Sequence, residues 1–296
     1  MAVAALASQR TLARAALAAL RPRQWSKNLL LFAGLIFAAK IGDATRWGEA
    51  FAAFAAYCAA SSAAYLANDV RDAADDREHP IKRLRPVASG ELPARAAISL
   101  AVVLAAAALA ATALLGPWSA AFMGGFLVLQ AVYTGGLKRL VLVDVLAIAG
   151  LFVLRAAAGA EAVDVRISPW LLICTGLLAL FLALGKRRAE LVLVGADEAP
   201  GRAVLQGYSL ALVDQLVSVV ASSTVIAYSL YTFTARGSDT MMVTVPFVVY
   251  GVFRYLLLLH RHGLGEEPEN MLLTDVPLLV TIAAWATTCA VILALT

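Results

Sequence analysis

Residues 47 to 76 read WGEAFAAFAAYCAASSAAYLANDVRDAADD. The stretch carries no charge from Ala50 to Ala67, which together with the flanking residues approaches the ~20 residues of helix that cross a bilayer. It then ends in Asn68, Asp69, Asp72, Asp75 and Asp76, with basic Lys82, Arg83 and Arg85 close behind. An apolar run that stops in concentrated charge reads as a membrane helix bringing a polar end to the interface. Working outward, further apolar runs lie at 28 to 40, 96 to 115, 118 to 134, 141 to 160, 168 to 185, 211 to 233, 241 to 259 and 276 to 295. With 61% hydrophobic and 15% charged residues, the chain holds more apolar surface than a soluble domain of 296 residues could bury. The expected fold class is therefore all-α: a polytopic membrane protein of about nine transmembrane helices.

Gly116 and Pro117 leave room for only a tight turn, so the third and fourth helices should form an antiparallel hairpin. Residues 25–296 read as one transmembrane helical domain, with no second soluble domain. Residues 1–24 read as a basic amphipathic segment lying on a membrane surface, because Arg10 and Arg14 interrupt the apolar stretch a secretory signal needs.

Charge gives an orientation. Of the 24 Lys and Arg residues, nineteen fall on the connections that face the cytoplasm if the N-terminus does, and four on the other side (Lys40, Arg46, Arg166 and Arg236). Arg155 lies inside a span. The split follows the positive-inside rule and places the chemistry on the cytoplasmic face of a bacterial inner membrane, with the C-terminus outside. The net charge of +4 is then a topology signal, and no basic run is interleaved with aromatics as nucleic-acid stacking would need.

On a helix Asn68, Asp72 and Asp76 recur every four residues, so their oxygens share one face and can hold Mg²⁺, or Mn²⁺, through hard oxygen ligands, with a diphosphate completing the coordination. The same residues suit a polar loop whose charges neutralise one another. Four aspartates within residues 69 to 76, at a membrane boundary, favour the metal. The other connections on that face supply phosphate-binding groups: Tyr133, Lys138 and Arg139 after the fourth span, and Lys186, Arg187, Arg188 and Glu190 after the sixth. Lysine offers a point charge and arginine a bidentate fork. The same cations also serve as positive-inside anchors. Asp144 and Arg155 in the fifth helix and Arg254 in the eighth are charges that lipid does not tolerate, which implies interior partners. Cys58, Cys174 and Cys289 each fall in an apolar run and read as core residues. His79, His260 and His262 read as surface histidines with no paired carboxylate at a diagnostic spacing.

The pattern Asn68, Asp72, Asp76, followed by Arg85-Pro86-Val87-Ala88-Ser89-Gly90, resembles the first aspartate-rich motif of the UbiA-type intramembrane prenyltransferases. The resemblance extends over most of the chain. Within that superfamily the nearer resemblance is to the branch that moves 5-phosphoribosyl onto a polyprenyl, decaprenyl-type phosphate. It is carried by residues 20 to 28, Asp76 to Arg83, the Leu154-Arg155-Ala156 region, residues 182 to 190, and Gly265-Glu266-Glu267-Pro268-Glu269. It implies a cytoplasmic-side cavity, Asp72 and Asp76 as catalytic residues, and Asn68, Asp72 and Asp76 as ligands of Mg²⁺. It further implies substrate contacts from Lys27, Lys82, Arg83, Arg85, Tyr133, Lys138, Arg155, Lys186, Arg187 and Glu190. The implied partners are 5-phosphoribosyl 1-diphosphate, a polyprenyl phosphate and the membrane, and a homo-oligomer is left open. The superfamily's second acidic motif, DxxxD, is replaced at comparable spacing by Lys186 and Glu190. That departure counts against the alternative activity, transfer of a prenyl group from prenyl diphosphate to an aromatic or other small acceptor. A transporter would show interrupted short helices in two matching halves, and none are evident.

Overall fold

The computed structural model describes residues 11–37, 42–79, 81–194, 203–234, 239–261 and 274–295. Arg10, Lys40, Pro80, Arg202, Arg236, His262 and the 265–269 segment, all used in the sequence reading, lie outside the described residues. Among the described residues the structure is helical, with no strand. The helices are α1 (Leu12–Ala19), α2 (Ala33–Phe37), α3 (Ala44–Arg71), α4 (Ala73–Glu78), α5 (Ala94–Leu115), α6 (Pro117–Gly135), α7 (Val143–Ala162), α8 (Pro169–Val194), α9 (Leu210–Thr234), α10 (Val245–Arg261) and α11 (Val276–Leu295).

Seven described helices are long and apolar enough to cross a membrane, α3, α5, α7, α8, α9, α10 with the turn before it, and α11. The other two apolar runs differ from full spans for visible reasons. The run at 118 to 134 becomes the 19-residue α6, diluted by Gly124, Gly125, Gln130 and Tyr133. The run at 28 to 40 is entered through an 11-residue 3₁₀ stretch, Pro22–Phe32, before the short α2. At about 2.0 Å of rise per residue, 3₁₀ winding carries a short segment further than an α-helix would. The expected tight turn is present: α5 and α6 are separated only by Gly116, whose φ of 143° a side chain would resist.

The chain forms two compact units, one from Met1–Leu29 and Phe51–Thr134, the other from Leu30–Ala50 and Gly135–Thr296. In the first, α1 turns Ala15 and Ala19 into a cluster with Ala63 and Leu66 of α3 and Ala97 and Ala101 of α5, leaving Leu12, Arg14 and Leu17 outward. Small residues let backbones approach where lipid gives helices no hydrophobic reason to associate. The start of the 3₁₀ stretch is tied to α3 by polar contacts: Trp25 Nε1 donates to Ser62 Oγ at 3.0 Å, and Asn28 Nδ2 to Cys58 Sγ at 3.3 Å.

In the second unit, the chain near Leu31 lies so close to α7 that a Cβ on Gly159 would stand 2.2 Å from the Leu31 carbonyl oxygen. Phe181, Leu184, Val213, Val217, Val252 and Tyr255 join α8, α9 and α10 in one core. Trp285 Nε1 of α11 donates to Tyr228 Oη of α9 at 2.7 Å, and Tyr228 meets Thr244 Oγ1 at 2.6 Å. Arg254 finds its partner in Asp275, both side chains partly exposed: Nε and Nη2 donate to the two carboxylate oxygens at 3.1 and 2.8 Å. Asp275 also accepts the Leu278 N–H at 2.9 Å, capping α11, and the Arg254 hydrogen bond holds its carboxyl below the ordinary range.

Candidate active site

The first unit carries an ionic centre at the end of α3. The helix is interrupted at Asp72, yet the Asp72 N–H still donates to the Asn68 carbonyl at 2.9 Å and the Asp76 N–H to the Asp72 carbonyl at 2.8 Å. The spacing of four therefore persists through the junction with α4. Asn68 Nδ2 donates to Asp72 Oδ2 at 3.0 Å, and both residues are half-buried. Asp76 and Asp69 are buried beside two arginines: Arg85 Nη1 donates to Asp76 Oδ2 at 2.7 Å and to Asp69 Oδ1 at 3.4 Å, and Arg21 reaches Asp69 Oδ1 at 2.5 Å. Arg21 has a φ of 54°, unusual for a residue with a Cβ, and its guanidinium lies 5.0 Å over the Tyr65 ring. Arg21 and Asp69 are members of this centre that the spacing argument did not select. Their signal was adjacency, Asp69 beside Asn68 and Arg21 at the head of the RPRQW segment, and contact between them across 48 positions is not legible in a sequence.

Around this centre Lys82 lies half-buried and Arg83 exposed in a 3₁₀ turn, Lys82–Leu84. His79 Nδ1 accepts the backbone N–H groups of Ile81 and Lys82 at 3.2 and 3.3 Å, so this histidine shapes the turn. Lys27 and Tyr133 are half-buried in the same unit. Asn68, Asp72 and Asp76 offer amide and carboxylate oxygens, the ligand type Mg²⁺ takes. Among the described residues no three His, Cys, Asp or Glu side chains converge as a self-sufficient metal cage. A Mg²⁺ held here would need substrate phosphates to complete its shell.

The second unit carries a different centre. α8 continues to Val194, so Lys186, Arg187 and Glu190, expected on a connection, stand on helix; the run KRRAEL consists of strong helix formers. Arg187 Nε donates to Asp144 Oδ2 at 2.7 Å, Arg187 Nη1 pairs with Glu190 Oε2, and Tyr208 Oη donates to Asp144 Oδ1 at 2.6 Å. All four are buried, Asp144 completely. Burial, and after it the bond to Asp144, pushes the Tyr208 phenol well above its ordinary value and keeps it a donor. Sequence reasoning missed Tyr208 because nothing local marks it. Lys186 is half-buried beside this centre, and Lys138 is half-buried on the 3₁₀ turn Leu137–Arg139 that precedes α7. Arg155 is buried within α7, where Nη1 donates to the Leu151 carbonyl at 3.1 Å and the guanidinium lies 5.3 Å from the Phe152 ring centre. Arg188 pairs with Asp214 at 2.6 Å. The same unit holds a cavity of about 580 Å³ walled chiefly by apolar side chains, among them Leu30, Trp170, Leu178, Phe181, Tyr231 and Trp285.

The model of the UbiA prenyltransferase family matches residues 29–274. The chain belongs to that family. The matched span runs through both units. The family membership and the apolar helices make the protein an integral membrane enzyme of the UbiA type. The chain is 35% identical over 279 residues to the decaprenyl-phosphate phosphoribosyltransferase of Mycobacterium tuberculosis, covering 91% of each protein. It is 34% identical over 286 residues to the protein of that name from Corynebacterium glutamicum, covering 93% of this chain and 86% of the other. Among solved structures, a UbiA homolog from Archaeoglobus fulgidus bound to GPP and Mg²⁺ superposes with a TM-score of 0.73 at 19% identity, covering 95% of this chain and 99% of that one. The last likeness establishes the UbiA fold.

Proposed function

We propose that this UbiA-family protein transfers 5-phosphoribosyl from 5-phosphoribosyl 1-diphosphate to a polyprenyl phosphate of decaprenyl type, a first step toward a lipid-linked arabinose donor for cell-wall arabinan. The observation that carries the reading is the basic end of α8, where Lys186 stands at the first position of the superfamily's second acidic motif and the Glu190 carboxylate is taken by Arg187. One acidic motif and one set of cations suit a donor that brings a 5-phosphate as well as a diphosphate. The likeness to two phosphoribosyltransferases over nearly the whole chain points the same way.

In the reaction the bond between C1 and the diphosphate oxygen breaks, a bond from C1 to an acceptor phosphate oxygen forms, and diphosphate leaves. The acceptor oxygen is already anionic, so no general base is needed, in keeping with His79 serving its turn. Mg²⁺ or Mn²⁺ held by Asn68, Asp72 and Asp76 would neutralise the departing diphosphate. Arg85, placed between Asp69 and Asp76, is the cation best placed beside those carboxylates to meet the same group, with Lys82 and Arg83 following it. Lys138 and Lys186 supply further charge for the substrate phosphates. The apolar cavity of the second unit has the size of a small-ligand pocket and takes part of the isoprenoid tail, which is why an enzyme with a soluble sugar donor sits in a membrane. In this reading the chemistry faces the cytoplasm, and the excess of cations on one side supports that orientation.

The test is incubation of the purified protein with radiolabelled 5-phosphoribosyl 1-diphosphate and polyprenyl phosphate. Label should pass to the lipid fraction, EDTA should stop it, and Mg²⁺ or Mn²⁺ should restore it. Full transfer in excess chelator would remove the metal from the proposal.

A further inference from the structure

Asp144 begins a closed chain of buried polar contacts that the reaction itself does not require. Both of its oxygens are engaged, Oδ1 by the Tyr208 hydroxyl at 2.6 Å and Oδ2 by Arg187 Nε at 2.7 Å. Tyr208 Oη in turn accepts the Leu142 N–H at 2.7 Å, and Leu142 holds a φ of 67°, a left-handed backbone that costs a leucine free energy. The other arm of Arg187 ends on Glu190. Four polar side chains, three of them ionised in water, are thus withdrawn from solvent in one cluster. Such a cluster is expensive to bury, and replacing it with apolar residues is often neutral or stabilising. Its persistence needs a reason other than stability.

Its connections supply one. Leu142 and Asp144 follow the Leu137–Arg139 turn that carries Lys138; Arg187 adjoins Lys186; Tyr208 lies just beyond the Ala203–Gly207 turn. The chain of contacts therefore ties the Lys138 turn to the Lys186 end of α8. We infer that Asp144 and Tyr208 are positioning residues that set Lys138 and Lys186 relative to each other, so that two cations meet one diphosphate in register. Arg187 then acts as the strut between them and Glu190 as its counter-charge. The inference rests on reading the two lysines as phosphate-binding groups.

Tyr208→Phe tests it, because the ring keeps filling its buried site while the hydroxyl that joins Leu142 to Asp144 is lost. The full-length protein in detergent is titrated with inorganic diphosphate in the presence of Mg²⁺, and the thermal midpoint of the same preparation is recorded. Misplacement of binding groups by mutations remote from the reacting atoms costs up to about 100-fold, and a lost buried hydrogen bond contributes part of that. The expected result is roughly tenfold weaker diphosphate binding, a matching rise in KM for 5-phosphoribosyl 1-diphosphate, a nearly unchanged kcat, and a somewhat lower midpoint, because the Leu142 N–H and one Asp144 oxygen lose their partner. Asp144→Asn keeps an acceptor for Tyr208 but loses the charge facing Arg187, and should weaken diphosphate further in the same direction. A lowered midpoint with unaltered diphosphate affinity would make the cluster a structural frame only. Unchanged affinity and midpoint in both variants, or a parent protein that does not bind diphosphate, would overturn the inference as well. Because a prenyl diphosphate carries the same group, the titration decides the positioning role even if the phosphoribosyl reaction fails in the turnover assay.

Discussion

The ends of α3 and α8 use the same kinds of residue to opposite ends. At α3, the paired carboxylates of Asp69 and Asp76 are buried but their partners Arg21 and Arg85 both remain 27% exposed, and Asn68 and Asp72 are half-buried. At α8, Asp144 and Arg187 are almost wholly withdrawn, 0% and 4% exposed. An arginine that is already partly in water can turn toward a more highly charged group when one arrives, since moving it costs little further change in solvation. Sealed pairs cannot, because breaking one strands a buried charge at a cost of about 3–5 kcal/mol. The α3 centre is thus suited to receive Mg²⁺ and diphosphate, and the α8 centre to hold a frame for the cations at its margin.

The contrast can be broken most forcefully at Asp72. Asp72→Asn preserves shape and the contact with Asn68 but halves the ligand charge, and loss of preorganised electrostatic stabilisation at a reacting group costs roughly 100- to 1,000-fold. A fall of that size in kcat/KM is expected, together with a higher Mg²⁺ concentration for half-maximal rate. A variant with parental activity at all Mg²⁺ concentrations would remove Asp72 from the site. A smaller loss is expected at Lys186. Deleting one cation from a phosphate costs about 1.5–3 kcal/mol, so Lys186→Ala should lower kcat/KM for 5-phosphoribosyl 1-diphosphate by roughly 10- to 100-fold. Comparison with ribose 1-diphosphate, which lacks the 5-phosphate, locates the contact. Little further loss with that donor assigns Lys186 to the 5-phosphate, an equal loss assigns it to the diphosphate or the acceptor phosphate, and no loss with either makes it a topology anchor.

The smallest effect belongs to a pair outside both centres. Arg254 holds the Asp275 carboxyl below its ordinary value. A depressed carboxyl adds stability that is present above its unfolded value, near pH 4, and is lost as pH falls through the lower folded value. Thermal midpoints of the parent should therefore drop toward acid slightly more than those of Asp275→Asn, while the two proteins turn over alike at neutral pH. Identical pH profiles would show that the pair contributes nothing measurable, as many partly exposed pairs do.

Membrane helices and their ends were legible because apolar runs and charge placement are local properties. The tight turn at Gly116 was readable for the same reason, and the period-four alignment of Asn68, Asp72 and Asp76 survived an interruption at Asp72. Three features were not legible. The 3₁₀ winding of Pro22–Phe32 depends on Trp25 and Asn28 finding Ser62 and Cys58 on α3. The continuation of α8 through Lys186 and Glu190 hid behind the convention that charge ends a span. The cluster around Asp144 could not be read either, because Arg187 meets Asp144 across 43 positions and Tyr208 meets it across 64.

The central claim is the choice of donor, and one experiment puts it to a direct test. The purified protein with Mg²⁺ is offered two substrate pairs in parallel, 5-phosphoribosyl 1-diphosphate with polyprenyl phosphate, and polyprenyl diphosphate with a set of aromatic acids, and the lipid fraction is read by mass spectrometry. The account predicts a polyprenyl phosphate heavier by one phosphoribosyl group in the first reaction and no prenylated aromatic product in the second. Prenylated product in the second reaction with an unmodified polyprenyl phosphate in the first would contradict it.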